Sequence, residues 1–329
     1  MKQQDLFHGF NEEVRDVIFS PELLEFARMK PADFTRNRKM PFTDLFIFMI
    51  NLLRNTTKVA LNRFFSIIKK VDMSMTQQSF SEARKKLKWE ACRKLFDKTV
   101  EIYYRLQPNP IKWHGYRLMA IDGSKQQLPS DSVLREKYGT AGRGDSSVTA
   151  QGSSLFDVLN DMIIDAQLEP MSVDERTIAQ KHIAHLRSLP SFDRELLLFD
   201  RGYASFELIN TMISEEQPIT FVFRLRTKFN INIDKLPIGD HSITLTNGTE
   251  SCKVRVVKFK LDSGETETLI TNLWDKDLSL EDLKNSIFCV GRSRRNIMSS
   301  NISWKSKTSQ GAQNSPSYRT FISQRFSPT

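Results

Sequence analysis

The sequence predicts an α/β protein: a mixed layer of strands and helices with a β-rich insertion, preceded by a helical region. Three observations carry that prediction. Apolar residues recur at helical spacing through residues 1–105, and short apolar runs ending in aspartate alternate with helical segments across 112–225. Strict alternation broken by Asn-Gly and Ser-Gly then takes over from about 228 to 273. A chain of 329 residues is long enough for one large domain or a core with a smaller companion.

In the first region Val14, Ile18, Leu23, Leu24 and Phe26 are spaced for a helix over 11–28, interrupted around Pro21. Thr43 is placed to cap an apolar helix running through Leu53, and 59–68 is amphipathic. Residues 76–104 read as one long periodic stretch, basic at Arg84, Lys85, Lys86 and Lys88. The breaker Gln107-Pro108-Asn109-Pro110 closes the region. Beyond it, Arg117 to Ile121 is a short strand expected to run into a turn at Asp122-Gly123. Strand material with polar interruptions spans 155–166, a helix 173–189, and a continuous apolar strand 196–199 ends in Asp200-Arg201-Gly202. A helix over 206–213 and a buried strand over 219–225 complete the pattern of mixed elements with acids at strand ends. In the insertion, 241–245, 253–261 and 266–271 are strands joined by Asn247-Gly248 and Ser263-Gly264 turns. Ser279 is placed to cap a helix beginning Leu280-Glu281-Asp282-Leu283-Lys284.

From Asn285 to Thr329 the pattern stops. This tail holds five Arg, two Lys and eleven Ser but no acid and no helical period. It therefore supplies most of the net charge of +9, leaving 41 basic and 39 acidic residues in 1–284. The whole-chain charge is then weak evidence for nucleic acid, and local basic clusters have to carry that argument. Cys92, Cys252 and Cys289 lie far apart without metal-ligand spacing, which argues against a disulfide framework or zinc ribbon and fits a reducing cytosol. The start MKQQDLFHGF has no apolar signal core, and the apolar run Leu45–Leu53 is too short for a bilayer. The expectation is a cytoplasmic protein with no membrane partner.

Asp122 and Asp200 each follow an apolar run and lead into a glycine, directly or one residue later. Carboxylates fixed at strand ends can hold hard divalent cations for phosphoryl transfer, two ions about 4 Å apart serving the attacking and leaving oxygens. Taken singly, Asp-Gly after a strand is common turn chemistry, and two acids are too few for such a site. Arg201 and Tyr203 beside Asp200 suit either phosphate and base contacts or a salt bridge and a packed ring. Arg84, Lys85 and Lys86 read as phosphate contacts or as a solvated helix face, as do Arg36, Arg38 and Lys39. Arg224, Arg226 and Lys228, alternating along one expected strand, are candidates for a DNA channel. His182 and His185 lie one helical turn apart with no third ligand, which reads as a surface helix rather than a metal site. Gly139, Gly142 and Gly144 form a flexible loop without phosphate-loop spacing. Trp274 is expected to pack the end of the insertion.

The words around these residues are more specific. Ala120-Ile121-Asp122-Gly123-Ser124 with Leu128-Pro129 resembles the first-aspartate motif of DDE transposases of the insertion-sequence-four class. Phe199-Asp200-Arg201-Gly202-Tyr203-Ala204-Ser205 resembles their second-aspartate motif more closely still. The words 34–40 and 80–87 resemble the same family, so the likeness spans roughly 20–284. It implies a ribonuclease-H-like core at 112–284 and a DNA-binding helical region at 1–105. Asp122 and Asp200 would be the catalytic acids of a two-metal Mg2+ (or Mn2+) site. The implied partners are transposon terminal inverted repeats and target DNA, engaged by a homodimer. The implied chemistry is DNA strand cleavage and transfer.

In that family the third acid is a glutamate within Y-x2-R-x3-E-x6-K on a late helix, and this chain has no such word. Glu281 and Asp282 come too early, and Tyr318-Arg319 is followed by no acid. Reading one frame away offers a reason. Phe288-Cys289 must then give Leu, Val290-Gly291 can give Trp, Ser293-Arg294 and Met298-Ser299 can give Glu, and Ser300-Asn301 can give Lys. With permissive codons 285–302 rereads as LYFLRWKIEEKYNELKY, an amphipathic helix holding the missing word at its spacing. On this reading 285–329 is an out-of-frame, disordered tail and the chain is inactive as written. The alternative is a non-catalytic DNA-binding protein that occupies transposon ends or inhibits full-length transposase.

Overall fold

A computed structural model of the protein describes residues 3–36, 38–51, 56–68, 74–107, 109–142, 147–189, 194–214, 218–274 and 278–286. The expectations for 287–329, Asn37, Arg143 and Gly144 lie outside them. The described residues divide into two compact units, with the boundary between Asn109 and Pro110.

The first unit is helical: α1 (Gln3–Phe19), α2 (Pro21–Ala27), α3 (Phe42–Ile50), α4 (Thr57–Ile67), α5 (Gln77–Arg84) and α6 (Glu90–Leu106). Pro21 ends the first expected helix and starts the next, because a proline ring fits the first helical turn where its missing N–H costs nothing. Ser20 accepts the Leu23 N–H at 3.1 Å as the cap. Ser20→Ala is expected to cost about 1 kcal/mol, read as a lower denaturation midpoint at unchanged slope. Thr43 is not a cap: α3 starts at Phe42 after Pro41, with no side-chain capping bond. The nearly all-apolar α3 is instead fixed by burial. Phe42, Leu45, Phe46 and Phe48 join Leu61, Phe64, Phe65 and Phe80 in one core, with Phe48 edge-on to Phe64 and Phe80 at 5.3 and 5.1 Å. The single stretch expected over 76–104 is broken at 85–89, where the backbone leaves the helix to bridge Arg28 with Leu87.

The second unit is built on one eight-stranded sheet: β1 (Arg117–Gln127), β2 (Thr149–Asp157), β3 (Met162–Pro170), β4 (Glu195–Phe199), β5 (Thr220–Arg224), β6 (Gly239–Asn247), β7 (Glu250–Lys260) and β8 (Thr266–Thr271). Its helices are α7 (Ser132–Tyr138), α8 (Glu175–Ser188), α9 (Phe206–Ser214) and α10 (Ile231–Asp234). The strand order is β3-β2-β1-β4-β5-β8-β7-β6. Only β1, β4 and β5 run parallel, and helices α8 and α9 supply connections that parallel strands require. This is a helical region followed by a ribonuclease-H-like α/β core with extra strands. The extra strands are not a separate layer, because β8 pairs with β5 and so extends the same sheet.

Three local readings change. β1 does not turn at Asp122-Gly123 but continues to Gln127, held by antiparallel pairing that runs from Met119↔Asp157 to Gln127↔Thr149. The strand material at 155–166 is a hairpin, β2 turning into β3 through Asn160 and Asp161, the latter at φ 54°. β5 ends at Arg224, so Arg224, Arg226 and Lys228 do not alternate along one strand.

Alternation gives β1 and β4 two buried faces. Leu118, Ala120, Leu196 and Leu198 share one of them with Val222, Leu269, Leu278 and Leu283. Leu283 sits on the helical residues 280–286, which Ser279 and Asp282 cap reciprocally as expected: the Asp282 carboxylate accepts from the Ser279 N–H and hydroxyl, and Ser279 Oγ accepts the Asp282 N–H. These Ser279 bonds, with His114 nearby, hold the Asp282 carboxyl below its ordinary pKa. No helix among the described residues is long and apolar enough to cross a membrane.

Candidate active site

The two aspartates follow the paired stretches of adjacent strands. In the parallel β1–β4 pair Leu118 faces Leu196 and Ala120 faces Leu198; Asp122 comes two residues further along β1, and Asp200 directly after the end of β4. Both are half-buried, and alternation puts Asp122 on the face of β1 that carries Leu118 and Ala120. Residues 280–286 pack on that same face through Leu283.

Around Asp200 the charges are organised by Glu267, which no sequence signal singles out. Glu267 is 2% exposed on β8, and its Oε2 accepts from Arg201 at 2.9 Å and from Arg224 at 3.1 and 2.5 Å. Arg224 also donates to Asp200 Oδ1 at 3.3 Å. Glu267 holds the Arg201 guanidinium above its ordinary pKa, first by hydrogen bonding and then by charge. Crowding on one oxygen leaves Glu267 Oε1 and Arg201 Nε buried without partners among the described residues. Arg201 and Arg224 are therefore anchored in an ion-pair network beside Asp200, while Arg226 is exposed with its Nη2 next to Gly202. Tyr203 is 4% exposed, with its ring 5.8 Å from that of Phe199. Only its hydroxyl reaches towards the site, 3.5 Å from where a Cβ on Gly123 would lie.

The opposite face holds residues that the sequence pattern does not reveal. Gly123 alternates away from Asp122, and a Cβ there would lie 3.6 Å from Glu175 Oε1. A Cβ on Gly202 would lie 3.6 Å from the other Glu175 oxygen, so this carboxylate stands between Gly123 and Gly202, the glycines that follow Asp122 and Asp200. Further along α8, His182 is fully buried, which overturns its reading as a surface residue. Its Nδ1 lies 2.7 Å from Asp165 Oδ2 and its Nε2 3.0 Å from Ser153 Oγ. Ser153 faces Gly123 across β1–β2 and reaches the Asp122 carbonyl at 3.4 Å. Spacing along the helix could not reveal this, since the partners come from two other strands.

Arg84, Lys85 and Lys86 belong to the helical unit, Arg84 closing α5 and Lys85 paired with Glu82 at 2.8 Å. Trp274 is half-exposed with Lys253 Nζ 5.4 Å from its ring centre.

A family profile described as "Transposase DDE domain" matches residues 113–307, more than half of the chain. The chain belongs to the DDE transposase domain family. This DDE domain is 25% identical over 177 residues (52% of the chain) to transposase InsG for insertion sequence element IS4 of Escherichia coli K12. It is likewise 25% identical over 182 residues (54% of the chain) to InsZ of the same organism, named there as a putative transposase. The chain spans 38% of the length of InsG and 59% of that of InsZ. A piggyBac transposase solved as a synaptic complex with hairpin DNA aligns at a TM-score of 0.48 and 11% identity, over 89% of this chain and 68% of that one.

The family uses divalent metal ions. The chemistry of Asp122 and Asp200 fits them, as hard oxygen donors following two adjacent strands. Among the described residues no three acidic, histidine or cysteine side chains form a group that could hold a metal ion.

Proposed function

We propose that this chain is a transposase of the insertion-sequence-four class whose catalytic set has been cut short by a change of reading frame. The observation that supports the proposal is that Asp122 and Asp200 follow the paired stretches of two adjacent parallel strands, β1 and β4. Divalent ions held there would activate water and stabilise the leaving oxygen of a phosphodiester. The chain's own residues supply the rest. Asp122 and Asp200 bind, and Arg224, fixed by Glu267, balances the Asp200 charge. The exposed Arg226 and the outer part of Arg201 offer cations to the DNA backbone. The DNA partners are element ends and target, with a homodimer as the working assembly, in the cytoplasm.

The missing acid belongs on the helix that starts at 280. Leu283 seats that helix on the face of β1 that carries Asp122, so a continuation over 285–302 carrying the reread word would be rooted on that face. The family match itself runs to 307, past the point where the sequence loses helical pattern.

A second reading, a DNA-binding protein without catalysis that occupies element ends or inhibits full-length transposase, is favoured by the intact core of the helical unit. The two readings agree on binding. The purified chain is expected to retard a duplex carrying the element's ends in a mobility-shift assay and to release it as salt rises. Failure to retard that duplex at low salt would overturn both.

A further inference from the structure

Trp89 is the most exposed large apolar side chain among the described residues, 73% accessible. It stands at the N-cap of α6 and makes no side-chain capping bond, at a position where Ser, Thr, Asp or Asn would stabilise the helix. Neither burial nor capping explains an indole there. The backbone that presents it is fixed: Lys88 N–H donates to Ala27 at 2.7 Å, Met29 N–H donates to Lys86 at 2.9 Å, and Leu87 packs on the helical core. This bridge brings exposed Met29 and the turn before Trp89 to one junction, with Phe26 nearby under Lys94 Nζ, 4.4 Å from its ring centre. The turn is basic: Arg84 is exposed, Lys86 and Lys88 are half-buried, and Lys85 pairs with Glu82.

An exposed aromatic side chain on a fixed turn, with Arg84, Lys86 and Lys88 within five residues of it, matches one kind of partner by charge and by shape, a polyanion whose flat bases can stack. We propose that Trp89 is a base-stacking contact for DNA, taking an unpaired or unstacked base while Arg84, Lys86 and Lys88 hold the flanking phosphates. This deepens the DNA-binding reading above and rests on it. Base–aromatic stacking is tolerant of sequence and sensitive to removal of the ring, whereas the lysines act through counterion release. The two contributions therefore separate experimentally.

The test uses the full chain and fluorescein-labelled DNA, either a blunt duplex or the same duplex with a short single-stranded flap, followed by anisotropy across a salt series. Trp89→Ala is expected to weaken flap binding roughly tenfold or more, with an unchanged salt slope, and Trp89→Phe to recover most of the loss. Lys86→Ala with Lys88→Ala is expected to flatten the salt slope on both DNAs. Wild-type affinity for the flap in Trp89→Ala would overturn the stacking contact alone. So would a Trp89→Ala effect confined to self-association in sedimentation, which would mark the junction as a protein interface. No binding of either DNA by the wild-type chain would overturn this proposal together with the DNA-binding reading.

Discussion

Incubated with magnesium ions and a duplex carrying the element's own ends, the chain as it stands is expected to release no cleaved strand. Metal-binding carboxylates act as a unit, and loss of one member of such a set removes most of the rate, on the order of 10^4-fold or more. Asp122 and Asp200 follow adjacent parallel strands, but among the described residues no group of three or more His, Cys, Asp or Glu forms a metal site. Glu281 and Asp282 sit at the start of their helix, with Asp282 spent on the Ser279 cap. A chain whose frame is restored after Lys284 is expected to gain cleavage, and Asp122→Asn or Asp200→Asn in that chain to abolish it again. Gel analysis of end-labelled duplex reads all four outcomes. Cleavage by the unrestored chain that survives Asp122→Asn would place the chemistry elsewhere.

The second large effect concerns stability. His182→Ala is expected to cost about 3–5 kcal/mol, because it removes the buried partner of the Asp165 carboxylate and of the Ser153 hydroxyl. Both His182 and Asp165 are 0% exposed, so water cannot compensate. The empty ring volume adds to the cost. His182→Gln, which keeps a hydrogen-bonding group in the space, is expected to lose less. Denaturant unfolding at neutral pH measures both, and a His182→Ala midpoint equal to wild type would show that α8 does not depend on this network.

The same residues show what the sequence makes legible. Asp200 can be found from order alone, since β4 is a continuous apolar run and its acid comes where the run ends. Asp122 is legible as a residue but reads wrongly as a turn, because what keeps β1 extended through Gly123 is pairing with β2 some thirty positions later, invisible to local pattern. The β6–β7 hairpin is legible through its Asn-Gly turn, with Gly248 at φ 59°. The β2–β3 hairpin is not, because Asn160-Asp161 makes the same reversal without a glycine. Glu267 and His182 share a further reason. A lone acid in an alternating strand and a lone histidine on a helix carry no signal until the partners, 43 and 66 residues away for Glu267 and 17 and 29 for His182, are brought together by the fold. The helical unit is readable as helical, but not its break at 85–89, since Leu87 continues the apolar period while its backbone pairs with Arg28.

The residues after Lys284 decide whether this chain is a transposase deprived of its third acid. The nucleotide sequence across codons 275–335, read in all frames, tests that most directly. The expected result is an alternate frame that stays open past codon 285 and encodes Tyr, Arg, Glu and Lys at the Y-x2-R-x3-E-x6-K spacing, continuing the helix that Leu283 seats on the Asp122 face of β1. A stop codon in that frame, or an unrelated sequence, would make the basic tail genuine and contradict the loss of a third acid by a change of frame.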